Sequence, residues 1–262
     1  MKTVQTSAGA IHWAESGAGA PVLFSNSLGT DFRIWDRVLP LLPDGLRVIR
    51  YDKRGHGLSD VRGRDWTMAD HVADAAAVMD AAGAKDAVVV GLSIGGIIAQ
   101  GLAAERPDLV RGVVLCDTGS KIGTAEMWDD RIAAIEAGGI AALAEPILER
   151  WFSKAFRAEK AGELALWRNM LCRTTPDGYL GSAAAIRDTD LQESTSRLRI
   201  PAVGLGGDED GSTPPDLVRE TVSLIPGGVF HLIRGAGHLP CIEQPEATAN
   251  VIADFLKQIG HI

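Results

Sequence analysis

Along the chain, two rhythms of apolar and polar positions alternate. Short runs of period two, or of unbroken apolar character, are followed by longer stretches with apolar residues three and four apart. The segment Ala10-Ile11-His12-Trp13-Ala14-Glu15 alternates apolar and polar and predicts an early antiparallel edge strand. Pro21-Val22-Leu23-Phe24-Ser25, Leu46-Arg47-Val48-Ile49-Arg50-Tyr51, Ala87-Val88-Val89-Val90 and Val113-Val114-Leu115-Cys116 read as further strands. Residues 68–82 set Val72, Ala75, Ala76 and Met79 at helical spacing, and residues 96–104 continue as a second helix. Strands alternating with helices predict a mostly parallel sheet with flanking helices. From residue 122 to 197 the strand rhythm stops; the stretch is helical, rich in Ala and Arg, and holds Trp128, Trp151 and Trp167. Strands resume at Ile200-Pro201-Ala202-Val203-Gly204-Leu205 and Val229-Phe230-His231-Leu232-Ile233, and an amphipathic helix closes the chain over residues 245–259. The pattern divides the chain into an α/β core, 1–121 and 198–262, and a helical cap inserted at 122–197.

Composition narrows the function classes. The chain has 262 residues, which suits one large α/β domain with an insertion. Its net charge is −8 and it has no Lys/Arg run, so neither a nucleic acid nor an anionic membrane is an expected partner. Its three cysteines, Cys116, Cys172 and Cys241, are odd in number and widely spaced. They predict neither a disulfide framework nor a zinc site and fit a reducing compartment. No signal-peptide core and no long uncharged apolar stretch occur, so the expected location is cytoplasmic. No G-x-G-x-x-G or P-loop pattern follows a strand; no cofactor and no metal are expected. Monomer and homo-oligomer both stay open.

The chemistry gathers around Gly91-Leu92-Ser93-Ile94-Gly95, between an apolar strand and a helix. G-x-S-x-G in that context is a nucleophile elbow: the serine sits on a sharp turn, and the two glycines remove side chains that would clash. A serine hydroxyl needs a base. His238 lies in the loop Gly235-Ala236-Gly237-His238-Leu239-Pro240, just after the last strand, where sites form in open α/β sheets. The base needs an acid to set its tautomer. Asp208, Glu209 and Asp210 follow another strand; Asp210 is the first choice and Asp208 the second. The oxyanion donors are expected to be the N–H groups of Ile94 and of Leu28, the latter in the loop Asn26-Ser27-Leu28-Gly29-Thr30-Asp31. His56, in Asp52-Lys53-Arg54-Gly55-His56-Gly57, reads as structural.

These segments, in the order Ser93, Asp210, His238, resemble the α/β-hydrolase superfamily over nearly the whole chain. The similarity is strongest to the 3-oxoadipate enol-lactonases of bacterial aromatic catabolism. Asn26-Ser27-Leu28-Gly29 is the most discriminating segment, because many members of the superfamily carry His-Gly in place of Asn26-Ser27. Tyr51-Asp52-Lys53-Arg54-Gly55-His56-Gly57-Leu58-Ser59 and Trp128-Asp129-Asp130-Arg131-Ile132 support the same branch. Ile94 departs from the Met common in relatives, a change that leaves the backbone N–H in place. Some relatives are fused to a decarboxylase domain; this chain would be the lone lactonase. The resemblance implies a serine hydrolase acting on a small lactone or ester that carries a free carboxylate. Arg131, Arg150, Arg168, Arg173 and Arg33 are candidates to hold that carboxylate; Trp128 and Trp151 are expected first to pack the cap against the core and second to contact substrate. Other esterases, C–C bond hydrolases, perhydrolases and ligand-binding members share the triad and stand as alternatives.

Overall fold

The apolar runs become strands of one sheet in the computed structural model, which describes all 262 residues. Eight strands form: β1 Lys2–Thr6, β2 Gly9–Gly17, β3 Ala20–Ser25, β4 Leu46–Tyr51, β5 Ala87–Leu92, β6 Val110–Cys116, β7 Ala202–Gly207 and β8 Val229–Ile233. Their order across the sheet is β1-β2-β4-β3-β5-β6-β7-β8. β2 runs antiparallel to both neighbours, and all other pairs are parallel. The antiparallel strand at residues 10–15 is therefore present but is not the edge. β1 is the edge, and its Lys2, Thr3 and Gln5 are exposed around a half-buried Val4. So polar a segment carries little local strand signal, and pairing with β2 supplies the strand instead.

β5 lies mid-sheet with all six residues buried. Its Val88, Val89 and Val90 are completely covered, and each contributes about 1.5–3 kcal/mol through burial. Eleven helices follow the strands: α1 Met68–Ala82, α2 Ile94–Glu105, α3 Ala125–Gly138, α4 Ala144–Trp151, α5 Lys154–Glu159, α6 Ala161–Cys172, α7 Pro176–Arg187, α8 Gln192–Ser196, α9 Pro215–Ser223, α10 Pro240–Glu243 and α11 Pro245–Gln258. α1 starts at a capping box between Thr67 and Asp70 and stops at the left-handed Gly83. The strand expected at 200–205 begins instead at Ala202, after Pro201, which has no N–H to give a ladder.

The stretch between β6 and β7 consists of α3–α8 and one short 3₁₀ turn, with no strand. Several contacts tie it to the sheet. Thr195 Oγ1 donates to Gln100 Oε1 at 2.7 Å, Leu191 N to Ser120 O at 2.8 Å and Thr175 Oγ1 to Gly55 O at 2.8 Å. At the other end, Ser153 Oγ donates to Glu243 Oε2 at 2.6 Å and Gly211 N to Arg150 O at 3.2 Å. The strand order reverses at β3, which lies between β4 and β5. Ser25 there pairs with Gly91, so the loops leaving β3 and β5 emerge side by side, where ligand crevices form in open α/β sheets.

Candidate active site

Ser93 is the N-cap of α2 with φ 59° and ψ −120°, a backbone conformation that a side chain rarely adopts. α2 thus starts at Ile94, two residues before the expected Gly96, because the serine itself makes the turn. The two flanking glycines have direct causes. A Cβ on Gly91 would lie 2.2 Å from Gly95 O, and one on Gly95 would lie 2.2 Å from Ser25 O. The elbow is therefore in backbone contact with the end of β3. Thr118 Oγ1 donates to Ser93 O at 2.6 Å and Ser93 N to Cys116 O at 3.0 Å, which fixes the turn from the β6 side.

The loop after β3 is held in the same detail. Ser27 O accepts from Lys53 Nζ at 2.8 Å, Thr30 Oγ1 at 2.8 Å and Thr30 N at 3.3 Å. Asn26 Nδ2 donates to Thr30 O at 2.9 Å. Gly29 N donates to His56 Nε2 at 3.0 Å, while His56 Nδ1 donates to Arg54 O at 2.9 Å. That pair of bonds requires a neutral imidazole, and burial followed by the charge of Lys53 holds the His56 pKa well below its ordinary value. His56 is thus structural, as the sequence suggests, and its work is to hold the loop that carries Leu28. The N–H groups of Leu28 and Ile94 find no acceptor within the protein.

His238 and Asp210 meet at 2.9 Å, Nδ1 to Oδ2, both buried. Asp210 Oδ1 accepts from Ser212 N at 2.7 Å and Thr213 N at 3.1 Å, and Oδ2 accepts from Thr213 Oγ1 at 2.7 Å. Asp208, the second choice for the acid, faces away and accepts from Gly235 N at 2.7 Å, bracing that loop. Asp117 lies against Asp210; donor atoms of Asp117, Asp210 and His238 fall within 4.8 Å of one another. Burial, then the charge of Asp210, pushes the Asp117 carboxyl well above the usual range. A protonated Asp117 can donate to Asp210. The bonds from Ser212 and Thr213 satisfy both Asp210 oxygens, whereas Asp117 Oδ1 accepts from Gly207 N at 2.8 Å and its Oδ2 is buried with no partner.

Ser93, His238 and Leu28 open onto one cavity whose far wall comes from the helical stretch. Trp128, Arg131, Arg150 and Trp151 line it. Trp128 donates from Nε1 to Ile122 O at 2.7 Å, and the Arg131 guanidinium sits 4.7 Å over its ring. Burial, then the charge of Arg131, lowers the Arg150 pKa; Tyr179 lies beside both. Two guanidiniums therefore share the cavity with no carboxylate partner. The remaining Arg candidates lie elsewhere. Arg168 pairs with Glu145 on the surface, while Arg33 and Arg173 border a separate cleft of about 340 Å³ beside His12.

Residues absent from the sequence reading of the site include Ser27, whose Oγ lies 3.3 Å from His238 Nε2, as well as Thr213 and Tyr179. Thr213 had a signal: a carboxylate accepting N–H groups two and three residues on is the Asx pattern that Asp210-Gly211-Ser212-Thr213 invites. Ser27 sits beside Leu28 in the loop the sequence singles out, but its approach to His238 across 211 residues has no motif, and Tyr179 leaves no local trace.

The pattern of the Alpha/beta hydrolase family matches residues 16–251. A 3-oxoadipate enol-lactonase of Acinetobacter baylyi is 31% identical over 238 residues, covering 91% of this chain and 89% of that protein. The crystal structure of an enol-lactonase from Burkholderia xenovorans LB400 superposes with a TM-score of 0.94 at 30% identity, covering 98% of this chain and 100% of the other. A thermophilic esterase from Thermogutta terrifontis, solved with malate bound, has a TM-score of 0.91 at 28% identity, with 98% of each chain covered.

Proposed function

The chain belongs to the Alpha/beta hydrolase family, and from that premise we propose that it is a serine hydrolase that opens 3-oxoadipate enol-lactone to 3-oxoadipate beneath a helical cap formed by residues 122–197. Ser93 is the nucleophile, His238 the base and Asp210 its acid. The observation that carries the substrate class is the pair Arg131 and Arg150, two guanidiniums without a carboxylate partner in the cavity that holds Ser93 and His238. A buried anion needs such partners, and a planar guanidinium suits a carboxylate. The enol-lactonase relatives support the same class.

Ser93 Oγ attacks the lactone carbonyl as His238 Nε2 takes its proton. Oxygen becomes negative where the Leu28 and Ile94 N–H groups await it, each donor worth about 3 kcal/mol in the transition state. The C–O ring bond then breaks, and the leaving enol oxygen takes the proton from His238. Because an enolate leaves more readily than an alkoxide, the acid has less to do. The enol becomes the ketone. A water, deprotonated by His238, attacks the acyl carbon, and collapse frees Ser93 and the carboxylate.

The test is ring opening of 3-oxoadipate enol-lactone by the purified protein and by Ser93→Ala. Rapid turnover should fall by about 10⁴-fold or more in the variant. An inert lactone beside Ser93-dependent cleavage of an activated ester would keep the hydrolase and discard the substrate.

A further inference from the structure

Lys53 is completely buried, and its ammonium reaches the carbonyl of Ser27 at 2.8 Å. The other end of that peptide unit is the Leu28 N–H, which has no acceptor in the protein, and Leu28 lines the cavity that holds Ser93. A peptide group is one conjugated dipole. Charge placed on its oxygen draws electrons toward that oxygen and makes the N–H at the far end a stronger donor. Thr30 Oγ1 and Thr30 N load the same oxygen, so three donors converge on one carbonyl. Burying an ammonium is costly, and Met would fill the space without that cost.

Resting on the serine-hydrolase reading, we propose that Lys53 is a positioning residue that polarises the Ser27–Leu28 peptide and thereby strengthens one oxyanion donor. It never touches substrate; it acts through the backbone. Its charge is under tension, because burial pulls its pKa down to about 7, against the opposing pull of Asp52 and Asp31. The groups around it are Asp31 from the loop after β3, Asp52 and His56 on its own loop, and His71 from α1. Asp52 also pairs with His12 of β2 at 2.8 Å, and Arg54 faces His71. Burial holds both His56 and His71 well below their ordinary pKa, so neither changes charge near neutrality. Loss of the Lys53 proton therefore weakens the oxyanion site as pH rises through neutral, and it gives the activity an alkaline limb.

The experiment measures kcat and KM for 4-nitrophenyl acetate across pH in the wild type, Ser93→Ala, Lys53→Met and Lys53→Arg. In Lys53→Met, kcat at about pH 6 should drop about 10-fold, a fraction of what losing a whole donor costs, with KM little changed. Its alkaline limb should vanish, so that the two enzymes converge above neutral pH. A trifluoromethyl ketone, whose adduct carries the oxyanion, should lose affinity in proportion to kcat/KM. In Lys53→Arg, which keeps its charge, the alkaline limb should likewise disappear while the rate at low pH stays closer to the wild type. Wild-type rates in Lys53→Met, or an alkaline limb that persists in either variant, would overturn the proposal. Cleavage that survives Ser93→Ala would overturn the hydrolase reading and this proposal with it. Cleavage lost in Ser93→Ala but untouched in Lys53→Met would overturn this proposal alone.

Discussion

At the scale of single residues, the site depends on groups that act on backbone. Lys53 holds Ser27 O, His56 holds Gly29 N and Thr118 holds Ser93 O. Lys53 also leaves a mark on stability. Its folded pKa, about 7, lies below the ordinary lysine value of 10.5. Between those limits the unfolded chain binds the proton and the folded chain does not, so stability rises with pH. The contribution is fully present above the unfolded value and is lost as pH falls toward 7. Denaturant unfolding should therefore show Lys53→Met more stable than the wild type near pH 7. The gap should close toward pH 10 with a slope approaching about 1.4 kcal/mol per pH unit. A gap that stays constant with pH would show that Lys53 is not buried as a strained charge. Ser93, Asp210 and His238 were each visible in the sequence because each follows a strand in a glycine-flanked loop. Of the two neighbouring acids the sequence favours Asp210, and the Asx pattern of Asp210-Gly211-Ser212-Thr213 sets it apart; the fold turns Asp208 to Gly235 N instead.

At the scale of elements, one carboxylate bridges the helical stretch and the loop that carries His238. Glu243 of α10 accepts from Ser153 N at 3.1 Å and Ser153 Oγ at 2.6 Å, at the start of α5, and from Gly237 N at 2.7 Å, beside His238. Burial raises its pKa, and these donors oppose that rise. Glu243→Ala should leave the three donors unmatched and cost about 2 kcal/mol, or about 5 °C in Tm. It should also lower kcat/KM, because the loop before His238 loosens, and Glu243→Gln should restore part of both. Thermal melts and kinetics of the two variants check this; unchanged values in Glu243→Ala would rule out a stabilising bridge. The strands and helices themselves were largely legible, because buried runs such as Val88-Val89-Val90 carry their own period. β1 was not, since a polar edge strand is made by its partner. The bridge was invisible as well: Ser153 and Glu243 are ninety residues apart and carry no motif.

At the scale of the molecule, a chain of net charge −8 is proposed to take an anionic substrate. Long-range steering is unfavourable, so attraction must be local, within a screening length of about 8 Å at physiological salt. Arg131 and Arg150 supply it at the cavity wall, facing the elbow across the gap between the sheet and the helical stretch. On the proposed reading, this pair would favour a substrate with a free carboxylate over a neutral ester. That Arg131 and Arg150 share a wall was only half legible: the sequence offered five arginines, and the fold brought two of them to the cavity. No helix is long and apolar enough to cross a membrane.

The most direct measurement is kcat/KM for ring opening of 3-oxoadipate enol-lactone beside that for its uncharged methyl ester, in the wild type and in Arg150→Met. The wild type should favour the anionic lactone by about 10-fold or more, equivalent to about 1.4 kcal/mol of selective binding, and Arg150→Met should erase most of that preference. Equal or faster turnover of the methyl ester, or a lactone left intact, would contradict the proposed function.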